Sequence, residues 1–356
     1  MGGGSIIKKY IFIISIALFC SSCNIKSNIR FESTLVRTME SSLVNSNYSN
    51  DLNKSQAVEF GFIGMNEGFT GWDNLVWQNG ENIYYLCRQG IMEWNNQNGS
   101  NLILNANGVG GIVIDGSWLY YYKLEEKRIN RIKLNGDYSS ELVFDAEMID
   151  FPAKLEQICG FTLYNGQLYI KDTTISCFLY DMEKRQLNCF NDDMSSGVFF
   201  DNKFYYIEHS QRTFTIYATD LISLHTELLR GDGIAYNFED PKKELLYDKL
   251  TVVNGKLFYS TRVEPAVYLY EKDGEDLLIE DFDSDDALIL QITTDGKYLF
   301  YTHKNTNILH RYDPVECKLV LIELPDDFKG NKGYMIVNNI LYYKLNNDDY
   351  KTFLIE

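Results

Sequence analysis

The chain is poor in proline, histidine and basic charge. Five prolines beside 25 glycines exclude a collagen-like sequence, and 45% hydrophobic with 14% aromatic residues excludes a wholly disordered or coiled-coil chain. With 33 basic against 50 acidic residues the net charge is -17, so the basic face that nucleic acid requires is missing and nucleic acid is not an expected partner. Catalytic signatures are missing too: there is no phosphate loop, no dinucleotide fingerprint, no His-Glu-x-x-His and no Gly-x-Ser-x-Gly. Of the four histidines, His303 and His310 flank Asn305-Thr306 symmetrically and are expected to meet across a hairpin, but two histidines do not complete a zinc site. Asp281, Asp283 and Asp285 alternate like the start of a calcium loop, yet Asp286 and Ile292 stand where that loop needs glycine and glutamate. No metal or cofactor is expected, and no catalytic residue is assigned.

The longest apolar stretch, Tyr10 to Phe19, follows Lys8 and Lys9 and precedes small polar residues, the layout of an export signal. It is far shorter than the roughly 20 residues a membrane span needs. The run Leu18-Phe19-Cys20-Ser21-Ser22-Cys23-Asn24 resembles the lipobox of bacterial lipoproteins, in which a small residue precedes a cysteine that is lipidated and becomes the new N-terminus. Ser21 and Ser22 fit the two positions before Cys23, while Cys20 stands where leucine is usual. The resemblance implies a lipoprotein signal over 1–22, lipidation at Cys23, and an extracytoplasmic protein held by its lipid to a bacterial membrane. An ordinary cleaved secretory signal or an uncleaved anchor is the alternative. Residues 24–55 are rich in Ser and Asn with no sustained apolar period, so 23–55 reads as a lipidated cysteine and flexible tether. A coil of that length holds the folded part about 30 Å from a bilayer.

Beyond residue 56 the sequence repeats. Each unit has an apolar strand, a two-residue turn and a strand opening with aromatic residues. The turns are Asn79-Gly80, Asp115-Gly116, Asn165-Gly166, Asp201-Asn202, Asn254-Gly255, Asp295-Gly296 and Asn338-Asn339. Such pairs supply the positive φ that tight hairpins require. Four or five residues past each turn's first residue stand Tyr84, Tyr120, Tyr169, Tyr205, Phe258, Phe300 and Tyr342, and all but Tyr169 are followed by another tyrosine. The turns are 36, 50, 36, 53, 41 and 43 residues apart, the length of a four-stranded propeller blade. Residues 56–356 therefore read as an all-β, seven-bladed β-propeller. The last unit ends one strand short, and Ala57 to Ile63 is a strand-like run lying before the first unit. It is the expected closing strand of the seventh blade, since an unpaired edge invites pairing.

The units resemble the tyrosine-tryptophan-threonine-aspartate (YWTD) repeats of low-density-lipoprotein-receptor-type propellers, as in Leu119-Tyr120-Tyr121-Tyr122 followed by Ile129-Asn130-Arg131-Ile132-Lys133-Leu134-Asn135-Gly136. The chain is similar to bacterial lipoproteins with such repeats, grouped as domain of unknown function 5050. The tryptophan and the Thr-Asp pair are mostly replaced, and seven units stand where the receptor domains have six. The resemblance thus implies a fold and carries over no ligand.

Cys177 and Cys189 lie symmetrically in the outer hairpin of the third unit and are candidates for a disulfide, with a reduced pair the alternative. Cys87, Cys159 and Cys317 read as small apolar fillers. Most aromatics recur at one phase of the repeat and serve packing between blades. The two longest gaps put their extra residues between Asp145 and Ile158 and between Gly231 and Tyr247, both blade-to-blade connections, and 65–72 precedes the first blade on the same side. These stretches carry off-phase rings, Phe69, Trp72, Phe151, Tyr236 and Phe238, among Glu67, Asp150, Glu156, Asp232 and Glu239. Such insertions on one face of a repeat fold suit binding of a protein, peptide or glycan. The competing expectation is a cell-envelope enzyme acting on polysaccharide or peptide with acidic residues at the channel mouth.

Overall fold

The computed structural model describes residues 58–59 and 61–62 and, from 76 to 355, all but 88, 96–97, 106–107, 135–136, 149–157, 173–175, 192–193, 211–212, 232–246, 262–264, 283–288, 305, 329–333, 338 and 347–348. Two short strands come first, β1 (Val58–Glu59) and β2 (Gly61–Phe62). Blade 1 is β3 (Val76–Asn79), β4 (Asn82–Cys87), β5 (Gly90–Asn95) and β6 (Gly99–Asn105). Blade 2 is β7 (Val109–Asp115), β8 (Trp118–Lys123), β9 (Arg128–Lys133) and β10 (Ser140–Asp145). Blade 3 is β11 (Ile158–Tyr164), β12 (Gln167–Asp172), β13 (Cys177–Asp181) and β14 (Gln186–Asn191). Blade 4 is β15 (Met194–Phe200), β16 (Lys203–Ser210), β17 (Thr213–Asp220) and β18 (Thr226–Arg230). Blade 5 is β19 (Tyr247–Val253), β20 (Lys256–Thr261), β21 (Ala266–Leu269) and β22 (Leu277–Asp281). Blade 6 is β23 (Ile289–Thr294), β24 (Leu299–His303), β25 (Ile308–Asp313) and β26 (Lys318–Glu323), and blade 7 is β27 (Tyr334–Val337), β28 (Ile340–Asn346) and β29 (Asp349–Leu354). Each blade is an antiparallel meander, and together they form the seven-bladed propeller that the turn spacing predicts.

The tandem aromatics have a simple cause. Successive residues of a strand point to opposite faces, so a pair of rings on the second strand of a blade packs into both flanking interfaces. Tyr121 joins the cluster shared with blade 1, whereas Tyr120 and Tyr122 join the one shared with blade 3. Tyr259 faces blade 4 and Phe258 blade 6; Tyr301 faces blade 5 and Phe300 blade 7. Where the second tyrosine is missing, Ile170 takes its place against blade 2 while Tyr169 packs on blade 4.

Five of the turns fall into two types, while Asp295-Gly296 opens a four-residue loop between Thr294 and Leu299. At Asn165-Gly166, Asp201-Asn202 and Asn254-Gly255 both residues have positive φ, as a type I′ turn demands. At Gly80 and Gly116 only the glycine is left-handed, and the preceding Asn79 and Asp115 end their strands. There the loop is one residue further on and begins with glycine, the type II′ solution.

The closing strand is where the sequence expectation fails. Val58 and Glu59 pair with Phe199 and Val198 of β15, and Gly61 and Phe62 pair with Phe161 and Gly160 of β11. The run therefore adds to the innermost strands of blades 4 and 3 and does not complete blade 7, which has three strands among the described residues. Among the described residues the seam between blades 7 and 1 is made by side chains. Ile340 and Tyr342 of blade 7 lie in one buried cluster with Ile83, Tyr84 and Trp94 of blade 1. Among the described residues no strand is shared across that seam, and the N-terminal run pairs with two inner edges instead.

Interface tightness can be tested at Gly197 on β15. A Cβ there would lie 2.6 Å from Phe204 and 2.9 Å from the Met194 sulfur. Gly197→Ala should cost about 1–3 kcal/mol in urea melts, because ring and thioether must both move in a packed cluster. An unchanged midpoint would mean that the blade 3–blade 4 interface is loose.

Candidate functional site

Antiparallel blades place the turns between first and second strands on one face, the hairpin face. Blade-to-blade connections and the turns between second and third strands lie on the other, the connection face. The backbone bonds agree: Leu124 donates to Gly108 beside the connection into blade 2, and Leu134 donates to Ser117 beside a hairpin turn. The two long connections run from Asp145 to Ile158 and from Arg230 to Tyr247, so both leave from the connection face, as the repeat spacing predicts. The expected binding rings Phe69, Trp72, Phe151, Tyr236 and Phe238, and the lipidation site Cys23, lie outside the described residues.

The roots of both connections are built firmly. Asp145 is buried, accepts the Arg128 Nε–H at 2.7 Å and the Glu147 amide at 2.9 Å, and so fixes the direction in which the first connection departs. Met148, next along, is 75% exposed, an apolar side chain presented to solvent on this face. The second connection starts at Gly231, whose φ is +101° and where a Cβ would stand 3.2 Å from Thr215. Glycine is needed there for both reasons.

Beneath the first connection the start of β11 and the end of β12 form a buried polar cluster that the sequence reading missed. A bulge between Ile158 and Gly160 sets Cys159 out of register, and its thiol donates to the Asp172 carbonyl at 3.0 Å. Lys171 and Asp172 are 3% and 2% exposed, and Lys171 pairs across the sheet with the buried Cys177. Burial pushes the Lys171 amine down to about 8, with Cys159, Cys177 and Asp172 opposing the fall. Burial raises the Cys159 thiol to about 11 and the neighbouring Tyr122 phenol to about 12. Thiols held protonated in this way are inert, so the cluster supports the base of the connection and supplies no thiolate. One signal was available: Lys171 shares the side of β12 occupied by the packing ring Tyr169, and a lysine at an apolar phase marks an unusual position.

Cys177 and Cys189 are not bonded to each other, which is the reduced alternative of the two readings. A bulge at Cys177/Phe178 sets Cys189 opposite Phe178 and Cys177 opposite Asn191. Cys177 is consequently buried and Cys189 exposed, on opposite sides of the hairpin. His303 and His310 do approach, with ring centroids 5.3 Å apart, but the direct cross-strand partner of His310 is Tyr301. Glu280 of blade 5 accepts from the Tyr301 hydroxyl at 2.6 Å and lies 2.8 Å from the His310 Nδ1, joining blades 5 and 6. Among the described residues no three His, Cys, Asp or Glu side chains converge as a metal site requires.

No protein-family model matches the chain, and no curated protein matches it. The similarity to the group 5050 lipoproteins therefore stays a resemblance of motifs. Solved structures do align. Virginiamycin B lyase from Staphylococcus aureus superposes with a TM-score of 0.53 at 13% identity, over 85% of this chain and 100% of that one. The extracellular domain of a one-component system from B. thetaiotaomicron gives 0.53 at 14% identity, over 84% of this chain and 40% of that one. The nidogen/laminin complex gives 0.43 at 14% identity, over 68% of this chain and 93% of that one. At these identities the likeness is one of fold alone. The chain is a seven-bladed β-propeller, and the fold does not fix its ligand.

Proposed function

We propose that the protein is a surface-tethered, non-catalytic recognition propeller, anchored through a lipid on Cys23 and binding a protein, peptide or glycan through its blade-to-blade connections. The observation that carries this reading is the asymmetry of the two faces. The described turns between first and second strands are short, whereas both long connections, with their off-phase rings and carboxylates, spring from buttressed roots on the opposite face. Aromatic rings beside carboxylates suit a sugar ring, which stacks, or a basic peptide, which pairs. The same carboxylates disfavour an anionic partner.

The test is alanine substitution at Trp72, Phe151 and Tyr236 in the full chain, read on a glycan array and against lysine- and arginine-rich peptides. Each substitution should weaken binding about tenfold or more, as loss of an aromatic anchor does, with the melting temperature nearly unchanged. Retained binding with a large fall in melting temperature would show that the rings only hold their own loops down.

A further inference from the structure

The N-terminal strands have a direction, and the direction has a consequence. β15 starts on the connection face at Met194 and ends at the hairpin turn Asp201-Asn202, and β1 pairs near that end, Val58 opposite Phe199. β11 likewise starts on the connection face at Ile158, and β2 pairs near its start, Phe62 opposite Gly160. Both pairings are antiparallel, so the chain between Val58 and Phe62 travels from the hairpin face to the connection face along the inner edges of two adjacent blades. That is the face on which β3, the inner strand of blade 1, begins.

We propose that residues 58–62 thread the central channel and thereby set the polarity of the molecule. The chain preceding them leaves from the hairpin face, and the connection face is the one turned away from whatever the N-terminus is attached to. The threading rests only on the strand pairing; the membrane at the other end rests on the anchoring reading above. With that anchor in place, the connection face meets partners arriving from the medium, and the bilayer faces the hairpin face. The exit lies beside the hairpin turns of blades 3 and 4, which are tied together by the Asn165 amide donating to the Asn202 side-chain oxygen at 2.9 Å and the Asn202 backbone amide donating to the Tyr164 hydroxyl at 3.0 Å. The thread therefore leaves past a braced rim.

A photo-crosslinking p-benzoylphenylalanine at Gln56 of the full chain tests this. Irradiation and digestion should join it to peptides containing 164–166 or 201–203. Joining to 124–127 or 146–148 would put the exit on the connection face, and the absence of any intramolecular product would leave the segment outside the channel; either result overturns the proposal. Independently, amides of residues 58–62 in the full chain should exchange at least about tenfold more slowly than in a free peptide of the same sequence, and Gly61→Pro should abolish that protection. Free-peptide rates in the unmodified chain would also overturn it. Membrane fractionation of Cys23→Ala reports on the anchor alone: crosslinks to the hairpin rim with undiminished membrane association of Cys23→Ala would keep the thread and discard the lipid.

Discussion

Asp276→Ala should be among the most destabilising single substitutions in the protein, at about 3 kcal/mol in urea melts. Asp276 belongs to blade 5 and receives Arg230 of blade 4 through Nε at 2.6 Å and Nη2 at 2.5 Å. It also accepts the Tyr259 hydroxyl at 2.6 Å and the Glu271 amide at 2.9 Å. Arg230 lies over the Tyr270 ring at 4.3 Å and donates to the Glu271 carbonyl at 2.6 Å. Removing the carboxylate takes the counter-charge from a partly buried guanidinium and an acceptor from the Tyr259 hydroxyl together, which costs more than the pair contributed. Arg230 retains some exposure, and this sets the expectation at the lower end of the range for buried pairs.

The same group gives the pH dependence a sign. Burial raises the Asp276 carboxyl, but the hydrogen bonds from Arg230 and Tyr259 outweigh it, and the group sits below its ordinary 3.8. A carboxyl lowered on folding stabilises above its unfolded value and loses that contribution as pH falls through the folded one. Glu280, held below 4.5 by His310 and Tyr301 against burial, acts in the same direction. His303 is lowered from 6.5 by burial and then by His310, so its neutral form is favoured in the fold and its contribution fades as pH drops below that value. Melting temperature should therefore decline in two stages, one starting near pH 6.5 and one below about 4, and Asp276→Ala should shrink only the second.

Tyr342→Ala should cost about 3–5 kcal/mol, because it opens the seam that closes the ring. Tyr342 is 4% exposed and packs with blade 1. Its hydroxyl has no hydrogen-bond partner among the described residues, so Tyr342→Phe should leave stability unchanged or raise it by about 1 kcal/mol. Removing residues 57–63, by contrast, should leave the ring closed. A collapse on that deletion with a tolerant Tyr342→Ala would return closure to the N-terminal strand.

The blades were legible because each is announced locally, by a turn pair and by rings four or five residues beyond it. The partner of the N-terminal strand was not, since strand addition is made by backbone groups that every edge offers alike, and the pattern of Ala57 to Ile63 says only that a strand exists. Between a bonded and a reduced Cys177–Cys189 pair the sequence could not choose, for a related reason. Symmetry about a turn assumes an unbroken register, and one bulge at Cys177/Phe178 moves the partner by a residue. Arg230 and Asp276 stand 46 residues apart, and nothing in either neighbourhood signals the other. Lys171 carried a faint mark, a charge on the ring-bearing side of its strand. The expected contact rings lie beyond what the structure describes, so their placement still rests on the gap lengths.

A ring sealed by side chains behaves differently under load from one sealed by a shared strand. A tug on the N-terminus of a strand-sealed propeller would peel the seam and begin to unroll the blades. Here the same tug runs along the axis and shears two short ladders on β11 and β15. When they yield, the segment slides out toward the hairpin face and the seven blades stay in place. A pull on residues 58–62 is thus separated from the packing that holds the blades together.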